Sequence, residues 1–166
     1  MNLSCNREFL QKCISSADRV TGKNLSLPIL GTVFITTDHK KIIIRATNLE
    51  VGVEFQIPAT IKTEGSVALP GSLLANILSS ITDEQEINIS VSGSVGKITT
   101  KTKNLNIKGF LPDDFPTIPL VHEGDKFTLP ATKFIQGVKS VVGSAAISDI
   151  KPEISSIYIH QIGDAL

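Results

Sequence analysis

The sequence predicts an α+β fold: an antiparallel sheet with two helices on one side of it, followed by the opening of a second unit of the same kind. Three observations carry this. Two amphipathic helix patterns alternate with β-rich runs, in the order helix, strands, helix, strands. The runs are short, alternate in polarity and are separated by turn residues, which marks half-buried antiparallel strands. The opening pattern also returns. A shift of 125 residues places Phe9 on Phe134, Gln11 on Gln136 and Ser15 on Ser140. With one loop residue lost, Pro28 falls on Pro152 and Ile35 on Ile159. A period of that length repeats a domain, not the short unit of a solenoid or propeller.

Asn6 suits a helix N-cap, because its side chain can accept from the free amides of the first turn. Phe9, Leu10, Cys13, Ile14 and Ala17 then share one face at helical spacing, and Glu8, Lys12, Ser15 and Arg19 share the other. Gly22 is expected to end the helix, with Lys23 in the exit loop. Pro28 cannot donate to a sheet, so it belongs at a strand start or edge. Residues 29–37 read as that strand, 38–41 as a hairpin turn and 42–47 as the return. After a break at 48–50, Val51, Val53, Phe55 and Ile57 alternate up to Pro58. Residues 65–69 form a short strand, and Pro70-Gly71-Ser72 opens a second helix with the stripe Leu73, Leu74, Ile77, Leu78 and Ile81. Its other face (Ala75, Asn76, Ser79, Ser80) bears no charge, which is unusual for a solvent-facing helix. Three more strand runs follow at 87–91, 96–102 and 105–107.

Residues 109–125 differ in texture. Prolines 112, 116 and 119 forbid a helix, and the stretch reads as a connector between domains. A strand at 127–129, a helix opened by Pro130 and a second proline-led strand from Pro152 complete the repeat. The helix carries Phe134, Ile135, Val138, Val141, Val142 and Ala145 on its apolar side.

Composition narrows the function. At 166 residues the chain suits one domain and part of another. A hydrophobic content of 41% with only 5% aromatics and no Trp predicts an aliphatic core. Lys+Arg and Asp+Glu balance at 16 each, so nucleic-acid binding would need local segregation of charge. Cys5 and Cys13 form neither a CxxC pair nor a disulfide scaffold, and a reduced, cytoplasmic chain is the simplest reading. The polar start does not resemble a signal peptide, and no apolar run reaches the roughly 18 residues a membrane helix needs.

No catalytic constellation emerges. His39, His122 and His160 lack ligand spacing and a neighbouring nucleophile pattern. Gly93-Ser94-Val95-Gly96-Lys97 lacks the first glycine of a phosphate loop and has Ile98 where the Mg²⁺-binding hydroxyl belongs, so a hairpin accounts for it better. Asp113 and Asp114 have no further carboxylates spaced to complete a metal site. Catalytic residues, metal and cofactor are therefore all expected to be none. What remains is surface: Lys12, Arg19 and Lys23 on or just beyond the free face of the first helix, and Lys133 on the free face of its repeat. Composition alone favours ordinary solvated charge here, with Glu8 pairing Lys12 at i, i+4.

Several stretches together resemble a known family: Lys23-Asn24-Leu25-Ser26-Leu27-Pro28-Ile29-Leu30, Ala46-Thr47-Asn48-Leu49-Glu50, Leu69-Pro70, and Leu111-Pro112-Asp113-Asp114-Phe115-Pro116. In this order they resemble the bacterial sliding clamp, the beta subunit of DNA polymerase III. The resemblance implies a DNA-clamp fold, with residues 1–121 as a first clamp domain and 122–166 as the truncated start of a second. Family members are head-to-tail homodimer rings of three-domain chains whose helices surround double-stranded DNA. They tether the DNA polymerase III catalytic subunit, bind peptides of the polymerase and the clamp loader, and do no chemistry.

The resemblance also assigns residues. Lys12, Arg19, Lys23, Lys133 and Lys151 become DNA-facing, with Lys151 matching the basic residue of the second domain's DNA loop. Leu105 and Ile107 match the edge strand of the dimer interface, with Leu78 on the adjacent helix. Ile154 lines part of the partner-peptide cleft between second and third domains, most of which lies outside this sequence. The family often has Asp at position 48 and basic residues near Gly71-Ser72, and this chain has neither. The chain is thus expected to be a clamp fragment that does not close a ring. Residues 126–166 are expected to expose apolar surface or borrow a neighbour's strand. The alternative is a short clamp-fold interaction module that binds a replication protein without encircling DNA.

Overall fold

A strand that the sequence pattern does not announce sits near the middle of the sheet. The computed structural model describes residues 1–22, 26–82, 84–119, 124, 128–147 and 151–160. These fall into two units, Met1–Pro119 and Leu120–Leu166. In the first, β1 (Asn2–Asn6) precedes helix α1 (Arg7–Asp18), and β2 (Thr32–Asp38), β3 (Lys41–Thr47) and β4 (Gly52–Thr63) follow it. The order then repeats with β5 (Ser66–Pro70), helix α2 (Gly71–Ser79), β6 (Glu86–Ser92), β7 (Val95–Thr99) and β8 (Asn104–Lys108). The eight strands form one sheet in the order β5-β2-β3-β4-β1-β6-β7-β8, antiparallel at every pairing. Pairing repeats with the chain order: β5 lies beside β2 as β1 lies beside β6.

The core is aliphatic, as composition predicts. Leu10, Ile14 and Ala17 of α1 and Leu74 and Leu78 of α2 are fully buried against Leu3, Ile35, Ile42, Ile44, Ile87, Ile89 and Ile98 of the sheet. The two helices pack on each other over one face of the sheet. Along β3 the alternation is direct: Ile42, Ile44 and Ala46 point into the core, and Arg45 points out to Glu54 of β4 at 2.8 Å. Each such aliphatic side chain contributes about 1.5–3 kcal/mol by leaving water.

Several boundaries differ from the sequence reading. Asn6 does cap α1, accepting from Phe9 N–H at 3.1 Å, but the helix stops at Asp18 and not at Gly22. The chain tightens after it, with Val20 and Thr21 N–H bonding three residues back. Pro28 opens a 3-10 turn, Pro28–Gly31, and β2 starts only at Thr32. A proline suits the first position of such a turn because its missing N–H would have no partner there. Nor does β4 end at Pro58. It pairs with β3 as far as Pro58 and with β1 from Ala59 onward, so the missing donor falls where the strand changes partners.

The start of the expected connector belongs to the first unit. Phe110 and Ala68 exchange backbone hydrogen bonds of 2.8 and 3.4 Å, bringing the chain after β8 back to β5 at the other end of the sheet. The approach is so close that a Cβ on Gly109 would run into the Ala68 carbonyl oxygen. Beyond it the Phe115 ring stacks on Phe34 of β2, centroids 5.0 Å apart.

Among its described residues the second unit holds one helix, α3 (Ala131–Val141), with Pro130 at its N-cap and a 3-10 turn, Val142–Ser144, after it. No strand forms among its described residues. Of the expected strand at 127–129, Phe127 lies outside the described residues, and Thr128 and Leu129 make no ladder. The run after Pro152 begins as turns and continues without a strand partner. β-rich residues become a strand only when another strand takes up their backbone groups. No residue of α3 is buried, and Phe134, Ile135 and Val141 are exposed.

Closure of the sheet at Gly109 makes a prediction. Gly109→Ala should destabilise the first unit by about 1–3 kcal/mol, as overpacking does, because the added methyl meets rigid backbone. Urea unfolding followed by far-UV dichroism measures it, and an unchanged midpoint would contradict the seam described here.

Candidate nucleic-acid interface

The sheet takes one face of the helix pair and leaves the other to solvent. On α1 that free face carries Glu8, Phe9, Lys12 and Ser16, with Arg19 just past the last turn, all exposed. On α2 it carries Ser72, Leu73, Asn76 and Ser79, with no charge. The Gln11 amide donates to the Ser79 hydroxyl at 3.2 Å and ties the two surfaces together. Lys12 bonds Glu8 at 2.7 Å, both side chains more than 60% exposed (68% and 61%). The hydrogen bond from Lys12, and then its charge, hold the Glu8 carboxyl below its ordinary range. Such a pair is screened by solvent and stabilises little, so Lys12 can exchange its carboxylate for another anion. Arg19 follows the C-terminus of α1, where the helix dipole favours a cation.

Two further cations stand at the other end of the helix pair, where α1 begins and α2 ends. The Arg7 guanidinium donates to the Glu84 carbonyl at 3.0 Å and to the Gln11 side chain. Lys103, from the turn between β7 and β8, donates to the Ser80 carbonyl at 3.1 Å. A cation suits that position, because α2 has no basic residue in its own last turn. Sequence reasoning missed both, since neither lies on a helix stripe near the others. By contrast, Lys41 and Arg45 project from β3 and are engaged with Asp38 at 3.3 Å and Glu54 at 2.8 Å.

The other expected site residues are placed as follows. Lys23 lies outside the described residues. Lys133 and Lys151 are exposed in the second unit, Lys133 on α3 and Lys151 at the head of a turn. Lys133 borders an open groove of about 590 Å³ with Phe134, Val138, Ile157 and Tyr158. Ile154 is exposed in the turn that follows Lys151. The assignment of Leu78 and Ile107 to an interface needs correction at the level of side chains. Both are buried, 0% and 1% exposed, because α2 and β8 turn them into the core. Leu105, half-buried, and the open backbone edge of β8 are what that strand presents.

Chemical groups for catalysis do not gather. Among the described residues no three His, Cys, Asp or Glu side chains are arranged to hold a metal ion. His39 sits exposed in the β2–β3 turn, 3.8 Å from Asp38 and 3.9 Å from Glu64, and His160 stacks on Tyr158. Burial, and secondarily the charge of Glu86, push the Cys5 thiol up to about 12. Burial raises Cys13 as well. Neither is an activated nucleophile. No helix among the described residues is long and apolar enough to cross a membrane.

A curled antiparallel sheet holding a helix pair on one face is the domain fold of bacterial sliding clamps. The beta sliding clamp of Caulobacter crescentus matches with a TM-score of 0.90 over 99% of this chain and 44% of that chain, at 18% identity. The Helicobacter pylori beta clamp, solved bound to a DNA ligase peptide, matches at 0.81 over 92% and 43%, with 17% identity. In sequence, residues 1–119 match the model for the DNA polymerase III beta subunit, N-terminal domain, and the chain belongs to that family. The beta sliding clamp of Synechocystis sp. is 27% identical over 174 residues, which take in 100% of this chain and 44% of the relative. The chain thus spans less than half the length of that relative.

The two thiols supply a test of the core. Ellman's reagent at pH 8 should label Cys13 first and reach Cys5 only on unfolding. Because folding raises the Cys5 pKa, the neutral thiol's contribution is complete below about pH 9 and is lost as pH climbs toward about 12. Rapid labelling of both thiols in the native chain would contradict the burial of β1.

Proposed function

We propose that this chain serves as part of a DNA sliding clamp, a processivity factor that holds a replicative polymerase on double-stranded DNA and itself catalyses nothing. One observation carries the reading: a domain of the clamp family turns the uncovered face of its helix pair outward with Lys12 and Arg19 on it. Contacts of this kind, from mobile cations to phosphates with no reading of bases, hold DNA without fixing a position on it, as sliding requires. Tethering then acts through effective concentration. On this reading Lys23, Lys133 and Lys151 join the DNA-facing set, and the second unit corresponds to the start of a second clamp domain. The β8 edge with Leu105 serves as a subunit contact in a homodimer ring. Ile154 lies at the margin of a site for peptides from the polymerase catalytic subunit and the clamp loader. Such a clamp works in the cytoplasm and needs no cofactor.

A second reading, a clamp-fold module that binds only protein, draws support from the uncharged α2 and from Phe9 and Leu73, exposed by 57% and 46% beside it. Salt separates the two. In a fluorescence anisotropy titration with a short duplex, the clamp reading expects weak binding whose logarithm falls linearly with log salt. Lys12→Ala with Arg19→Ala should flatten that slope by about 0.9 for each phosphate no longer neutralised. No slope in the unaltered chain, together with retained binding of a polymerase-derived peptide, would establish the protein-only module instead.

A further inference from the structure

The two end strands of the sheet treat their outer backbone edges differently. In an antiparallel ladder, alternate residues direct their N–H and C=O groups to opposite sides of the strand. Just before β5, the Gly65 carbonyl accepts from Thr37 N–H of β2 at 3.1 Å. Ser66, Ala68 and Pro70 therefore direct their groups away from β2, out of the sheet. Ala68 gives both of its groups to Phe110, at 2.8 and 3.4 Å. Pro70 has no N–H to offer. At the other end of the sheet, Gly109 N–H donates to the Ser94 carbonyl at 2.8 Å, on the β7 side. Asn104, Asn106 and Lys108 of β8 thus direct their groups outward, and their side chains are exposed as well. In the register set by Phe110 and Ala68, Lys108 falls opposite Pro70, where β5 ends and the chain enters α2. Asn104 and Asn106 lie beyond its reach.

We propose that the Phe110–Ala68 bridge and Pro70 form an edge guard, which bars strand addition at β5 and leaves β8 as the side on which this unit takes a strand of a second clamp subunit. This deepens the reading of β8 as a subunit contact and rests on it for the partner. An unpaired edge is a template for further strands. A sheet open at both ends adds copies on either side and grows without limit, whereas one guarded end gives association a direction. Gly109 belongs to the guard, because a Cβ there would strike the Ala68 carbonyl oxygen and push the bridge open. The stacking of Phe115 on Phe34 holds down the chain that follows the bridge.

The test begins with amide hydrogen exchange on the unaltered 166-residue chain, at a concentration where light scattering reports a monomer. After correction for intrinsic rates, Ala68 should exchange at least about a hundredfold more slowly than Asn106, as a sealed edge differs from an open one. Exchange of Ala68 as fast as Asn106 would overturn the guard. A slow Asn106 in the monomer would instead remove the open β8 edge, and with it the subunit-contact reading and the direction proposed here. The second arm is G109V, checked for native dichroism. Its mass by light scattering should rise with concentration to about twice that of the unaltered chain or more, as a newly bared edge pairs. A peptide of residues 107–112, which supplies the missing cover in trans, should reverse the rise. A folded G109V of unchanged mass would overturn the proposal, as would association that the peptide leaves intact. Should G109V fail to fold, the exchange of Ala68 in the unaltered chain decides.

Discussion

Everything in the first unit follows from one packing requirement: two helices with wide aliphatic stripes must be covered at once, and one sheet does it. A flat sheet cannot surround a helix pair, so this one curls until β8 and β5, its two ends, approach each other at Phe110 and Ala68. The bend is distributed. β4 spends its first half on β3 and its second on β1, and Pro58 marks the exchange. Glycines supply clearance where backbone or a bulky side chain presses closest, Gly109 on Ala68 and Gly96 on Leu69. Strands buried on one side only keep their alternation, which is why the outer face is polar and the inner face is almost wholly Ile, Leu and Val.

Covering the helices from one side decides what the other side can be. Their free face is small, mixed in character and lightly charged, with Lys12 held only by an exposed partner and Arg19 beyond the helix end. A strongly basic, rigid surface would bind a nucleic acid in place. A face with a few exposed cations is suited to weak contact.

The second unit shows the same sequence grammar without the cover. α3 has the apolar stripe of α1, yet none of its residues is buried, and the β-rich run after Pro152 has no strand to pair with among the described residues. The contrast between the units isolates the physical point: amphipathic spacing makes a helix, but a strand ladder requires partner strands. Ile135, Ile154 and Ile159 therefore stand exposed where their counterparts in the first unit, Leu10, Leu30 and Ile35, are inside.

Much was legible in the sequence because it is local. The cap at Asn6, the inward face of Leu10, Ile14 and Ala17, the 38–41 hairpin and the opening of α2 at Gly71 each depend on residues a few positions apart, and each stands as expected; Phe9, read onto the same stripe, lies 57% exposed on the free face. Family motifs, read together and in order, identified the clamp family that the match over residues 1–119 establishes. What the sequence could not decide is set by partners distant along the chain. β1 offers only Leu3 and Cys5 as an alternating signal, too short to read, and becomes a strand because β4 and β6 flank it. Leu78 and Ile107 look available on a stripe and an edge, but the curl of the sheet closes over them. Lys103 reaches the end of α2, and Asp18 its start, only through packing of elements far apart in sequence. Local periodicity fixed the elements and their inward faces; the curl that covers two helices with one sheet decided which residues remain outside to meet a partner.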